Sequence, residues 1–173
     1  MSAAVPAVVA EDEMLARFVC QSNRLRADHT LKPEAFMPHP YLDLSVSRHL
    51  LRSNAEIWTV GFRVAALMEK PLHARADAKA NVFRRHGLNV ISLPETHDSH
   101  HANVVGWPAD KPKQKSIAQE ISEIVGAARL APRAPGPARG CRRAAAAPGP
   151  GRDAARPGRG CRPRRAATRS GSG

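Results

Sequence analysis

Side chains able to do chemistry gather between His97 and Leu130. The stretch opens on His97-Asp98-Ser99-His100-His101, runs through Gly106-Trp107-Pro108, and sets Lys111, Lys113 and Lys115 at the start of an expected helix. Histidine with aspartate is a donor set for first-row metals. The spacing argues against that use, because His100 and His101 are adjacent and would point to opposite sides of a strand, and no second donor group accompanies them. A loop of surface histidines is the plainer reading, so no metal is assigned and no cofactor is named. His101 stands apart, since it would begin a strand.

The lysines offer a different chemistry. The first turn of a helix exposes unpaired N–H groups at the positive end of the helix dipole, which suits a phosphate or a carboxylate. Three lysines there are each unfavourable by a few tenths of a kcal/mol or so unless an anion is present. Lys111, Lys113 and Lys115, with His101 and Trp107 alongside, form the candidate anion site. A solvated basic turn offset by Asp110 is the plainer alternative, and a hydrophobic lid is the plainer role for Trp107.

A third grouping joins Arg24, Arg26 and His29 to Arg48 and His49. An imidazole beside a fixed cation suits acid–base attack on a phosphodiester, the imidazole moving protons while the cation stabilises developing charge. The catalytic candidates on this reading are His101, His49 and Arg48, and their convergence depends on sheet order. The phosphate-binding G-x-x-x-x-G-K-[ST], the dinucleotide G-x-G-x-x-G, H-E-x-x-H and G-x-S-x-G are all missing from the sequence.

The elements that would position these groups follow from periodicity. Met14 to Cys20 reads as a strand, and Asp28-His29-Thr30 as a turn between two extended pieces. Tyr41 to His49 alternates Leu42, Leu44 and Val46 with Asp43, Ser45 and Ser47, a half-buried strand with Arg48 on its inner and His49 on its outer parity. Ser53-Asn54-Ala55-Glu56 is a capping box before a helix carrying Ile57, Trp58, Gly61, Val64, Ala65 and Met68. Leu72 to Ala76 is a short strand, and Asp77 is expected to cap a helix that Gly87 closes. Leu88 to Leu93 and His101 to Trp107 are strands. Asp110 is expected to cap a last helix with Pro112 in its first turn and a stripe of Ile117, Ile121, Ile124, Val125 and Ala128. The expected fold is α+β, a small and mostly antiparallel sheet packed by two main helices and covered on one face.

Charge divides the chain. The formal net charge is +12, yet residues 1–131 carry 16 Lys and Arg against 14 Asp and Glu, while residues 132–173 carry 11 Arg against Asp153 alone. Basicity, the usual sign of a nucleic-acid binder, therefore belongs to the last segment and not to the presumptive domain. That segment is rich in Arg, Ala, Gly and Pro and has no aromatic residue, no Lys and no aliphatic larger than alanine. It cannot offset its ordering entropy by burial, so a disordered tail is expected over 132–173, after a single domain over 13–131 and a frayed, disordered leader over 1–12. The tail reads either as an arm holding nucleic acid by counterion release or as the product of a reading-frame slip in a GC-rich gene. The slip is preferred, because the last helix is already complete. Cys20, Cys141 and Cys161 form no C-x-x-C pair. No signal peptide or membrane span is recognisable, so a cytoplasmic location is expected.

Four runs carry a resemblance: Lys32-Pro33-Glu34-Ala35-Phe36, Leu44-Ser45-Val46-Ser47-Arg48, Ala74-Arg75-Ala76-Asp77 and His101-Ala102-Asn103-Val104-Val105-Gly106-Trp107-Pro108. The stretch from Leu15 to Leu130 resembles a small family of uncharacterised bacterial proteins sharing the last of these motifs. The resemblance implies a bacterial source and a domain ending soon after its last helix, and it implies no activity. Three functional expectations result: a binding module for a phosphate-bearing or other anionic partner (small molecule or nucleic acid), a phosphodiester- or nucleotide-processing enzyme, and a non-catalytic interaction domain.

Overall fold

The computed structural model describes residues 6–38 and 40–132. The tail expected over 132–173 lies outside them save for Pro132. Among the described residues six strands form one antiparallel sheet: β1 (Met14–Val19), β2 (Leu44–Arg48), β3 (Ala74–Lys79), β4 (Asn89–Ser92), β5 (His101–Val105) and β6 (Arg129–Leu130). Their order across the sheet is β4-β5-β2-β1-β3-β6. The α-helices among these residues are α1 (Asn54–Leu67), α2 (Ala80–Arg84) and α3 (Lys111–Val125). No helix among the described residues is long and apolar enough to cross a membrane.

Register assigns each side chain to a face. Leu15 pairs with Ala78 and with Arg48, Leu44 with Val104, and Val90 with Val104, so these residues share one face. That face is the main core. Leu15, Val19, Leu44, Val46, Ala76 and Val104 pack there with Phe36, Phe83, Trp107, Ala118 and Ile121. The second face carries Ala16, Phe18, Ser45, Ser47, Arg75, Asp77, His101 and Asn103 by the same register. Helix α1 covers part of it. The Ser53 capping box starts α1 as expected. Gly61 is needed midway along, because a Cβ there would lie 2.7 Å from the Phe18 ring. The two main helices therefore lie on opposite faces, which corrects the expected one-sided cover.

Two other local expectations give way to packing. Asp77 is no helix cap but a strand residue, since Ala74–Lys79 pairs along its whole length with β1; Lys79 precedes α2 without a capping side chain. The stripe of α3 is turned from the isoleucine pattern: Gln114, Ala118, Ile121 and Ser122 are buried, while Ile124 is exposed. Gly87 does end its turn in the left-handed region, at φ 74°.

The leader from Pro6 onward is folded, against the expectation of fraying, and Arg48 is the reason. Arg48 points into the core face and is 1% exposed. Its Nε and Nη2 donate to the Glu13 carboxylate at 2.6 and 2.9 Å, its Nη1 to the Pro6 carbonyl and Ser92 Oγ, and its Nη2 also to the Val8 carbonyl. All five N–H donors of the guanidinium have an acceptor. Val9 is buried, and its carbonyl accepts from Arg84. Removing the carboxylate leaves a buried cation unpaired, which typically costs about 3–5 kcal/mol. Glu13→Ala is expected to lose about that much in chemical denaturation; a loss below about 1 kcal/mol contradicts this role for the pair.

Candidate functional site

The second face is only half covered. Strands β1 and β2 hold two registered pairs, Leu15 with Arg48 and Ala16 with Ser47. Beyond them the strands part, and Arg17 bridges the gap: its Nη1 donates to the Ser45 carbonyl at 2.9 Å and its Nε to the Ala35 carbonyl at 3.2 Å. Burial and the nearby Arg24 pull its pKa down to about 10, still cationic at neutral pH. Beside this gap lies a cavity of about 750 Å³. Ser45, Ser47, His101 and Asn103 make its floor, and Phe18, Val64, Leu67 and Met68 one apolar wall. Met37, Pro38, Pro40 and Tyr41 face them from the loop before β2, where the prolines hold the chain out of the sheet. Past Val19 the cavity is lined by Cys20, Arg24 and Lys70, and near the start of β5 by Glu95, His97 and Asp98.

His101 is the polar group best placed for chemistry there. Its Nδ1 lies 2.9 Å from the Leu93 carbonyl, which can only accept, so Nδ1 bears the proton and a neutral ring keeps its lone pair on Nε2. Glu95 Oε1 lies 3.5 Å from the same Nδ1, and Glu95 Oε2 lies 2.9 Å from His97 Nε2. The loop bearing these groups is pinned. Glu95 and Asp98 exchange backbone hydrogen bonds, Arg52 pairs with buried Asp98 at 2.7 Å, and Arg63 donates to the His97 carbonyl. His100 lies beyond the cavity lining, and burial with the Arg52 charge holds its imidazole below the ordinary histidine range. Among the described residues no three His, Cys, Asp or Glu side chains are grouped to hold a metal.

The other candidates separate. Arg48 is on the core face with every donor taken, so it is a structural clamp and no catalytic cation. His49 Nε2 lies 3.1 Å from Asp77 Oδ1. Register sets Asp77, Ala16, Ser47 and His101 in one row across β3, β1, β2 and β5, three strand spacings or about 14 Å from end to end. His49 and His101 therefore do not converge. Arg26 is spent on the Thr30 hydroxyl and Leu31 carbonyl of its own turn. Trp107 is 4% exposed, donates Nε1 to the Val104 carbonyl at 3.1 Å and belongs to the core, which removes it from any ligand site. Lys111, Lys113 and Lys115 are exposed and away from the cavity. The Asp110 side chain makes no cap, and Gln114 Nε2 instead donates to the Pro108 carbonyl.

Periodicity sets Ser45 and Ser47 on the polar parity of their strand and marks His101 as the start of another. Their meeting needed the β2–β5 pairing, which no local pattern encodes. Glu95 carried no signal of its own. Comparison with known families, with curated proteins and with solved structures finds no match to this chain.

Asp77 anchors the covered half of the face. It pairs with Arg75 at 2.8 Å and with Arg129 at 2.9 Å, besides His49. Arg75 is 2% exposed, stacks 4.7 Å from the Trp58 ring centre and donates to Asn54 Oδ1, so the pair also seats α1. Burial works to raise the Asp77 pKa, but hydrogen bonds and charge from His49 and Arg75 outweigh it and hold the carboxyl below its ordinary value. A depressed carboxyl contributes stability above its unfolded pKa and loses it as pH falls through the folded one. Asp77→Asn is expected to cost about 3 kcal/mol at neutral pH. The gap from the wild type should shrink only below about pH 4. Denaturation at several pH values checks this, and a gap unchanged down to pH 2 contradicts it.

Proposed function

We propose that the protein is a binding domain for a small organic ligand with an apolar body and an anionic group, held in the cavity between α1 and strands β2 and β5. The observation that carries the reading is the cavity itself: about 750 Å³, walled by Phe18, Val64, Leu67 and Met68 over a floor of hydroxyl, amide and imidazole groups. Ligand pockets have this composition and this range of volume. The anion is assigned to the end lined by Arg24 and Lys70, which form no ion pair among the described residues. The opposite end carries Glu95 and would repel it. This reading keeps the anionic ligand expected from the sequence and moves its site away from Lys111, Lys113 and Lys115, whose side chains are exposed.

Anilinonaphthalene sulfonate, apolar with one sulfonate, is a probe of that description. Its fluorescence is expected to rise and saturate at one equivalent on the native protein. Replacing Arg24 and Lys70 together with alanine is expected to weaken binding by about tenfold, a little over 1 kcal/mol. Leu67→Trp, at the exposed mouth, is expected to weaken it as well. Absence of saturable binding, or an affinity unmoved by all these changes, sinks the proposal.

A further inference from the structure

We infer that the cavity hydrolyses carboxylic esters of such ligands, with His101 as the catalytic base. The inference rests on the cavity reading and adds a reaction to it. Three observations carry it. The Leu93 carbonyl fixes the proton on Nδ1 and leaves Nε2 as the basic nitrogen. Among the described residues the hydrogen bond of the His101 side chain is made by Nδ1, none engages Nε2, and His101 lines the cavity. Glu95 stands 3.5 Å behind Nδ1, where its charge stabilises the imidazolium that forms when Nε2 takes a proton. Carbonyl, carboxylate and imidazole in this order are the parts of a general base, with water as the remaining participant.

The step balances without a further reactant. Water attacks the acyl carbon while Nε2 takes one of its protons, giving a tetrahedral oxyanion. The acyl C–O bond then breaks, the alcohol leaves with the proton returned from His101, and the acid remains. A carboxylic ester is favoured over a phosphodiester. Glu95 places negative charge at this end, which repels a phosphodiester already anionic when it binds but not a neutral ester group. Arg52, just before α1, is paired with Asp98, Arg63 of α1 donates to the His97 carbonyl, and neither lines the cavity. Ser47 lies opposite His101 in the register but is 1% exposed with its Oγ accepting from Arg52, so water, and no serine, is the nucleophile.

The test is turnover of 4-butyryloxybenzoate, an aryl ester with an apolar body and a free carboxylate, by the full chain. The expected result is a saturable rate above that of buffer with equimolar free imidazole, inhibited competitively by anilinonaphthalene sulfonate. His101→Ala is expected to lose at least about a hundredfold, the usual contribution of a positioned base. Added imidazole is expected to restore part of that loss, which a purely structural histidine would not allow. Should the variant melt at working temperature, Leu67→Trp serves in its place, lowering turnover by closing the mouth. A wild-type rate no greater than that of imidazole, or one untouched by saturating dye, overturns the hydrolysis. If the dye binds and no ester turns over, the reaction is wrong and the cavity reading stands; if the dye does not bind, the cavity reading fails too.

Discussion

Arg48 is the constraint on which the remaining arrangement depends. A guanidinium at 1% exposure is tolerable only with its charge matched and its donors filled. The partners come from four places in the chain: Glu13 before β1, the carbonyls of Pro6 and Val8, and Ser92 at the end of β4. One side chain thereby ties the leader, the central strand and an edge strand together on the core face. Strand geometry makes the choice of face consequential. With Arg48 directed into the core, its neighbours Ser47 and His49 must face the other way, and β5 pairs so that His101 stands beside Ser47.

What that second face becomes is decided by where α1 sits. Gly61 lets the helix approach Phe18, and Trp58 lies over Arg75, whose charge Asp77 balances. Both contacts are to β1 and β3. They draw the helix to that half of the sheet and leave β2 and β5 open beneath its far side. Buried ion pairs are a costly means of stabilisation compared with apolar packing. Here they fix position: Asp77 holds arginines from two strands and the His49 imidazole just after a third, so a shift of register would strand charge in the interior.

Much of the fold was legible in the sequence, because short-range physics determines it. The alternation over Leu44 to Ser47, the Ser53–Glu56 box and the left-handed Gly87 each report a local rule, and each appears where that rule puts it. Asp77 shows where local rules stop. An aspartate before a run of helix-forming residues resembles a cap, but six paired residues with β1, two arginines and a histidine outweigh one capping bond. Trp107 failed as a ligand residue for a related reason: the turn at Gly106 carries it into the core. The site was harder still to read. Its floor is assembled from β2 and β5, more than 50 residues apart in the chain, and its wall from α1. His101 is recognisable as the start of a strand, but nothing nearby in sequence specifies what it faces.

On the proposal made above, ligand chemistry belongs to the cavity beneath α1 and not to the basic start of α3. Backbone amide shifts recorded during titration with anilinonaphthalene sulfonate test it most directly. The largest changes are expected on Ser45, Asn103, Leu67 and Met68, with Lys111 to Lys115 unmoved. Changes gathered at Lys111, Lys113 and Lys115, with the cavity residues still, would contradict it.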